Sequence, residues 1–217
     1  MSLGEKDPNS YLVPAEPVMT ELVIKKSRFI CWIYPVENRQ QALAQVVTLT
    51  EQYPDARHHC WAYIAGPPEG ATQIAWSDAG EPQGTAGKPI LNVLQHHGVG
   101  NILAVVVRYF GGIKLGAGGL VRAYSGATQA AMEALQTTPK VATEEFVVEL
   151  GYDQESRFKM LMQEYGVELL ESTYGVSVCY TLSVPVNELK SFAERVTSFS
   201  KGQLQLKPAT IPLPNKC

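Results

Sequence analysis

The hydrophobic positions of the first 135 residues recur with two periods, one typical of strands and one typical of helices. Alternation at every second position predicts strands, and apolar residues spaced three and four apart predict amphipathic helices. Strands are predicted at residues 18–34 (a hairpin with a polar turn at 25–28), 59–65, 72–77 and 102–109, and helices at residues 37–53, 88–97 and 120–135. The aliphatic run from Ile102 to Val107 is typical of a strand buried on both faces.

The pattern restarts after Thr137-Thr138-Pro139, which we interpret as a domain boundary. The following elements are predicted at residues 145–150, 153–165, 167–173, 176–184, 187–199 and 203–207, with Asp153 and Asn187 as helix N-caps. Their order is βαββαβ, the ferredoxin-like split arrangement. The sequence therefore predicts an α+β protein of two domains, residues 1–138 and 139–217.

Composition places the chain among ordinary soluble proteins. Its 217 residues contain 18 Lys and Arg against 21 Asp and Glu, so any site for a polyanion must be a local patch. The polar N-terminus lacks the features of a signal peptide, and the longest aliphatic run is too short to cross a bilayer. The four scattered cysteines form no metal-binding or disulfide framework. We expect a cytoplasmic protein with reduced thiols and no membrane association.

One segment departs from this acidic balance. Residues 82–132, the acid-free window, contain four cations and many glycines but no Asp or Glu. Glycine lets a backbone approach a ligand closely, and cations beside exposed N–H groups favour anions. The window therefore predicts a surface that meets phosphate, on a metabolite or on nucleic acid.

The two glycine-rich loops of this region fail the common nucleotide-binding patterns. In residues 80–89, Pro82 and Pro89 stand where a phosphate-binding loop needs Gly and Ser or Thr. In the second loop, Gly116 and Gly118 match a dinucleotide fingerprint, but Val121 replaces its third glycine. The first loop stays open to two interpretations, a purely structural turn or a helix N-terminus that receives an anion.

The remaining candidates for chemistry are weak. His58 and His59 point to opposite faces of a strand, so they do not easily share a metal ion, and Cys60 in that strand is expected to be structural. We expect no catalytic residues, no metal and no cofactor.

Arg108 ends the buried strand and is followed by two aromatic residues, Tyr109 and Phe110. An arginine beside aromatic rings can pair a phosphate while the rings stack on bases. Alternatively, Arg108 pairs with a carboxylate of the first loop, Asp78 or Glu81. The first interpretation predicts that Arg108 can be replaced without loss of folding.

Three blocks, DARHHCWAYIAG, SDAGEPQGTAGKPIL and VGNILAVVVRYFGGIKLGAGGLVRAY, resemble signature blocks of the IMPACT family. Over residues 11–208 the chain is similar to the bacterial, YigZ-like branch of that family. The resemblance implies an N-terminal domain folded like the second domain of small-subunit ribosomal protein five. It implies a C-terminal ferredoxin-like domain resembling domain five of elongation factor G.

The resemblance also implies a role in translation, because eukaryotic relatives regulate it. Our leading hypothesis is a non-enzymatic, translation-associated protein that binds structured RNA or the ribosome. The alternative is an enzyme that binds a phosphorylated small molecule or nucleotide through its glycine-rich loops, and a module for a protein partner in translation control is third. The expected nucleic-acid or anion-binding residues are Lys88, Arg108, Tyr109, Phe110, Gly111, Gly112, Lys114, Gly116, Gly118, Gly119 and Arg122.

Overall fold

A computed structural model describes residues 9–71 and 73–209 of the chain, which divides into two compact units. The N-terminal unit comprises Tyr11–Lys140, and the C-terminal unit is built mainly from residues 141 onward. Each unit packs helices against an antiparallel sheet, so the predicted α+β class in two parts is confirmed. The limits of independently folding domains, residues 1–138 and 139–217, stay a prediction.

Ten elements lie in the N-terminal unit, the first and last of which extend one residue beyond its limits. They are β1 (Ser10–Pro14), β2 (Val18–Ile24), β3 (Ser27–Pro35), α1 (Arg39–Gln52), β4 (His58–Ala65), β5 (Gln73–Ser77), α2 (Gly87–His97), β6 (Ile102–Tyr109), α3 (Ala117–Ala134) and β7 (Thr137–Val141). Five strands form an antiparallel sheet of order β2-β3-β6-β4-β5, and β1 pairs with β7. The strand β7 lies where the sequence predicted only a boundary, and its two-stranded sheet tolerates Pro139.

The central position of β6 explains its unbroken aliphatic sequence. Leu103 and Val105 pack with α1 on one face of the sheet. Ala104 and Val106 face α2 and α3 on the other, because successive side chains of a strand point to opposite faces. Arg108 continues this second series, so its side chain is directed toward α3 rather than away from the sheet.

The C-terminal unit has the predicted βαββαβ order. Its elements are β8 (Thr143–Leu150), α4 (Glu155–Glu164), β9 (Glu168–Tyr174), β10 (Val178–Pro185), α5 (Leu189–Ser200) and β11 (Lys207–Pro208). The sheet has the order β11-β8-β10-β9, and Phe158 and Phe192 pack from the two helices into its core. The likeness of either unit to ribosomal or elongation-factor domains stays a prediction.

Three local predictions are wrong. The N-caps of α4 and α5 are Gln154 and Glu188, each one residue beyond the predicted Asp153 and Asn187. Cys179 is disulfide-bonded, whereas Cys31 and Cys60 are free. The N-cap predictions are wrong because the position of a helix end depends on side-chain packing. The prediction of reduced thiols is wrong because the spacing of cysteines along the sequence does not show which of them folding brings together. Among the described helices, none has the length and apolar character needed to cross a bilayer.

Candidate anion-binding site

A cleft of about 680 Å³ lies in the N-terminal unit where β6 ends and β4 begins. We call it the cleft. Its lining residues are Asp55, Arg57, His58, Glu81, Pro82, Arg108, Tyr109, Phe110, Lys114, Leu115, Gly116, Ala117 and Leu120. They come from the segment that leads into β4, from the first loop (residues 78–86), from the end of β6, from the second, glycine-rich loop (residues 110–116) and from the start of α3. The two loops that the sequence singled out therefore meet at one site.

Asp78 organises the first loop. Its carboxylate accepts hydrogen bonds from the backbone N–H groups of Gly84 (2.8 Å), Ala86 (3.0 Å) and Gly87 (2.8 Å). Burial acts to raise the pKa of this carboxyl, but the three N–H donors together outweigh burial and lower it. Gly87 packs so tightly that a Cβ there would lie 2.7 Å from the backbone of Ser77.

The carboxylate of Asp78 therefore already caps the N-terminus of α2 and provides the negative charge there. This arrangement favours the structural interpretation of the first loop over an external anion at this helix end. Lys88, predicted to join the site, lies one residue inside α2 and is exposed at its surface. Its ammonium sits over the ring of Trp76, 5.2 Å from the centroid, and Lys88 does not line the cleft.

A buried polar network forms the floor of the cleft. Arg108 forms an ion pair with Glu81, and the Tyr124 hydroxyl donates to the same carboxylate at 2.8 Å. Cys60 contacts the Tyr124 hydroxyl at 3.3 Å and the Asp78 carbonyl at 2.9 Å. Of the two interpretations of Arg108, the structure favours the pairing with a loop carboxylate. The reason for expecting its replacement to spare folding is thereby removed.

Aromatic rings hold the Arg108 guanidinium in place. Its central carbon lies 5.5 Å from the centroid of Phe29 and 5.8 Å from that of Phe110. The side chain of Arg108 is only 8% exposed. Within the described part of the chain, its Nε is buried and has no hydrogen-bond partner. The guanidinium is thus fixed at the cleft with one donor left unused.

Three glycines of the second loop are required by its backbone. A Cβ at Gly111 would overlap the carbonyl carbon of Lys26, in the β2–β3 turn. Gly112 and Gly116 have φ of +83° and +72°, which glycine adopts without strain. These positions hold the second loop against the hairpin and turn it into α3.

The N-terminus of α3 differs from that of α2 because no side chain caps it. Its N-cap is Gly116, its first turn contains no acidic residue, and its first backbone hydrogen bond runs from Leu120 N–H to the Gly116 carbonyl. Among the described residues, no acceptor contacts the N–H groups of Ala117, Gly118 or Gly119. Gly118 and Gly119 were predicted to lie in a loop, but α3 begins before them.

Exposed cations lie in the cleft or close to the elements that form it. Arg57 and Lys114 line it, Lys26 lies in the turn against Gly111, and Arg122 lies one helical turn after Gly118. We call these four residues the cationic rim: Lys26, Arg57, Lys114 and Arg122. In residues 9–71 and 73–209, none of the four forms an ion pair. The acid-free window thus contributes Lys114 and Arg122 to the rim, whereas Arg108 is neutralised by Glu81.

The aromatic candidates differ in their availability. Phe110 is 57% exposed at the cleft, so its ring is open to a ligand. Tyr109 is half-buried, and the Arg28 guanidinium lies 5.4 Å from the centroid of its ring. Arg28 in turn pairs with Glu21 at 2.7 Å. Phe110 is therefore the better stacking platform of the two.

His58 and Cys60 contribute differently to the cleft. His58 lines it, and its Nδ1 lies 2.9 Å from the Ala79 carbonyl; because a carbonyl only accepts, Nδ1 carries the proton. Cys60 is fully buried, and burial raises the pKa of its thiol to about 12. The thiol is thus protonated at neutral pH, as expected of a structural cysteine. No described group of three His, Cys, Asp or Glu residues could hold a metal ion, and the expected lack of metal stays a prediction.

Sequence reasoning missed Arg57 and Tyr124 as parts of the site. Arg57 stands outside the acid-free window, close to the acidic Asp55, so local charge gave no reason to select it. Tyr124 lies on the buried face of α3, where an aromatic residue is ordinarily core. Its hydroxyl becomes visible as part of the site only through its bond to Glu81.

Comparison with known proteins gives consistent matches along the chain. Residues 25–132 match the family described as "Impact N-terminal domain", and residues 148–203 match "Domain of unknown function (DUF1949)". The chain is 42% identical over 197 residues to "IMPACT family member YigZ" of Escherichia coli, covering 91% of this chain and 97% of that relative. It is 33% identical over 199 residues to "IMPACT family member YvyE" of Bacillus subtilis, covering 92% and 91%. A solved structure described as "Crystal structure of an hypothetical protein" is similar with a TM-score of 0.79 and 41% identity, covering 92% of this chain and 97% of that chain.

Proposed function

The chain belongs to the IMPACT family, and from this membership we propose that it is a cytoplasmic, translation-associated regulator that binds structured RNA or the ribosome. The proposal is of a binding protein rather than an enzyme. The observation that carries it is the cationic rim, four exposed cations that form no ion pair with any described residue, two of which line a cleft with an exposed aromatic ring. Such a surface offers charge to phosphates and a ring to an unstacked base.

The local charge supports contact with a polyanion although the whole chain is acidic. Arg57 and Lys114 face a single unpaired carboxylate among the described residues of the cleft, Asp55, because Glu81 is used by Arg108. With only a few phosphate contacts, the affinity should be modest and should fall steeply with salt.

A salt titration of RNA binding tests this proposal. Wild type and the double variant Arg57→Ala/Lys114→Ala are titrated with ribosomal RNA at several salt concentrations. The double variant should bind roughly tenfold more weakly. Its plot of log K against log salt should be flatter by roughly 0.7 to 0.9 for each phosphate that the protein no longer neutralises.

A charge-matched control is Arg39→Ala/Lys190→Ala. Arg39 begins α1, after the end of β3 that pairs with the start of β6, so it lies at the opposite end of the sheet from the cleft. Lys190 is an exposed residue of α5 in the C-terminal unit. This control should retain the wild-type slope. Equal slopes and affinities for all three proteins, or no binding by wild type, would refute the proposal.

A second candidate function is an enzyme acting on a phosphorylated small molecule. The observation in its favour is the volume of the cleft, about 680 Å³, which falls among the sizes of small-molecule pockets. Native mass spectrometry of protein purified from cells at low salt, so that bound ligands are retained, distinguishes the two functions. A stoichiometric nucleotide or phosphorylated metabolite supports the enzyme, and co-purified RNA supports the regulator.

A further inference from the structure

We propose that the cleft seats one terminal phosphate monoester at the N-terminus of α3, between Lys114 and Arg57. This inference rests on the proposed function, since it names the chemical group recognised at the same site. A terminal phosphate is found at the 5′ end of an RNA strand and on a free nucleotide. Both sources share the same chemistry, and the experiment below separates them.

Several hydrogen-bond donors and charges converge on one place in the cleft. Three backbone N–H groups, those of Ala117, Gly118 and Gly119, begin a helix of 18 residues without a capping side chain. The positive end of the helix dipole lies there as well, and Gly116 and Ala117 both line the cleft. The side chains of Lys114 and Arg57 supply charge from two other walls of the cleft.

Arg108 indicates a ligand in the cleft independently of the helix. Its side chain is more than nine-tenths buried and lines the cleft, yet its Nε has no acceptor among the described residues. A buried donor without a partner is unfavourable, so proteins rarely retain one. An oxygen of a bound anion would supply the missing acceptor.

The convergence of these donors favours a monoester over a series of diesters. A terminal phosphate presents three oxygens and close to two negative charges at neutral pH, whereas an internal diester carries one charge. The donors lie around a single cleft, and cations that follow a nucleic-acid backbone are instead spread along a groove. Phe110, exposed beside this seat, provides a face for the first base.

Binding of matched ligands to the full chain tests the inference. One pair consists of an oligoribonucleotide with a 5′-phosphate and the same sequence with a 5′-hydroxyl. The other pair consists of adenosine monophosphate and adenosine. The phosphorylated member of at least one pair should bind roughly tenfold or more tightly, as expected of charge-assisted hydrogen bonds. Preference within the first pair identifies an RNA end, and preference within the second alone identifies a free nucleotide.

The substitution Ala117→Asp tests the location of the phosphate seat. Ala117 is the exposed first residue of α3 and lines the cleft. A carboxylate at this helix end favours the helix, so the fold should be retained, as far-UV circular dichroism can verify. The same carboxylate occupies the phosphate seat and repels the phosphate. The ratio of the affinities for the phosphorylated and unphosphorylated members of a pair should therefore fall to about one. Ala117→Asn has nearly the same size without the charge and should lose less, and the distant Arg39→Ala should lose nothing.

Failure of this inference and failure of the proposed function give different results. If RNA binds with the predicted salt dependence but neither pair shows a preference for phosphate, the phosphate seat is wrong and the proposed function stands. If a preference exists but Ala117→Asp retains it in a folded protein, the seat at α3 is likewise wrong. If RNA does not bind at all, the proposed function fails, and only the nucleotide pair bears on the seat.

Discussion

Replacing Arg108 with alanine should strongly destabilise the N-terminal unit. The side chains of Arg108 and Glu81 are 8% and 4% exposed, so the substitution leaves a carboxylate buried without its counter-ion. Breaking a buried pair from one side costs about 3 to 5 kcal/mol. The hydrogen bond from Tyr124 to Glu81 offsets part of this cost, and removal of the guanidinium from the ring of Phe29 adds to it.

Urea denaturation, monitored by tryptophan fluorescence, measures the stability of the N-terminal unit specifically. All three tryptophans, Trp32, Trp61 and Trp76, lie within Tyr11–Lys140. With a slope of about 1 to 3 kcal/mol per molar urea, the loss of stability should move the midpoint by on the order of 2 M.

Two comparisons make this prediction refutable. Arg28→Ala removes an ion pair whose side chains are 50% and 36% exposed and screened by water, so it should destabilise the protein far less than Arg108→Ala. Adding Glu81→Gln to Arg108→Ala neutralises the orphaned carboxylate and should restore part of the lost stability. The reasoning is refuted if Arg108→Ala costs no more than Arg28→Ala. It is equally refuted if Glu81→Gln makes the Arg108→Ala protein less stable still.

Three further predictions concern other parts of the structure. Asp78→Ala should reduce the free energy of unfolding by about 1 to 2 kcal/mol and speed hydrogen exchange at the start of α2, because the cap is lost. Cys60 and Cys31 should resist iodoacetamide at pH 8 until the protein is unfolded, since burial raises both thiol pKa values to about 12; rapid alkylation of the native protein would contradict this. Lys159 and then Tyr180 lower the pKa of Glu155 to about 2, below its ordinary 4.5. Its stabilising contribution is therefore full above about pH 4.5 and is lost as pH falls toward 2; Glu155→Gln should remove that part of the pH dependence of unfolding followed by circular dichroism.

Much of the fold could be predicted because the spacing of hydrophobic residues along the chain indicates the strands and helices. The predicted strand at residues 102–109 coincides with β6, and the predicted hairpin at 18–34 corresponds to β2 and β3 within one residue. The βαββαβ order of the C-terminal unit was likewise predicted from apolar spacing. In each case the pattern shows which side of an element is buried. Residues that are close together in the sequence are sufficient to encode this information.

The site was only partly predictable, because its chemistry depends on residues that are distant in sequence. The sequence placed Phe110, Gly111, Gly112, Lys114 and Gly116 at a ligand-binding loop, and these residues do line or shape the cleft. It grouped Lys88 with them, but that lysine instead lies over Trp76. Nothing in the local pattern indicated that Arg57 would stand on another wall of the same cleft.

The sequence by itself determined the two α+β units, the buried central strand and the two glycine-rich loops as candidate ligand contacts. The tertiary structure alone decided which charges remain available. It brings Glu81 against Arg108, 27 residues away, and thereby neutralises the arginine that the sequence offered to phosphate. It folds Asp78 onto the N-terminus of α2 but leaves that of α3 uncapped. Electrostatic pairing depends on distance and burial in space, so a linear pattern of charges cannot specify it.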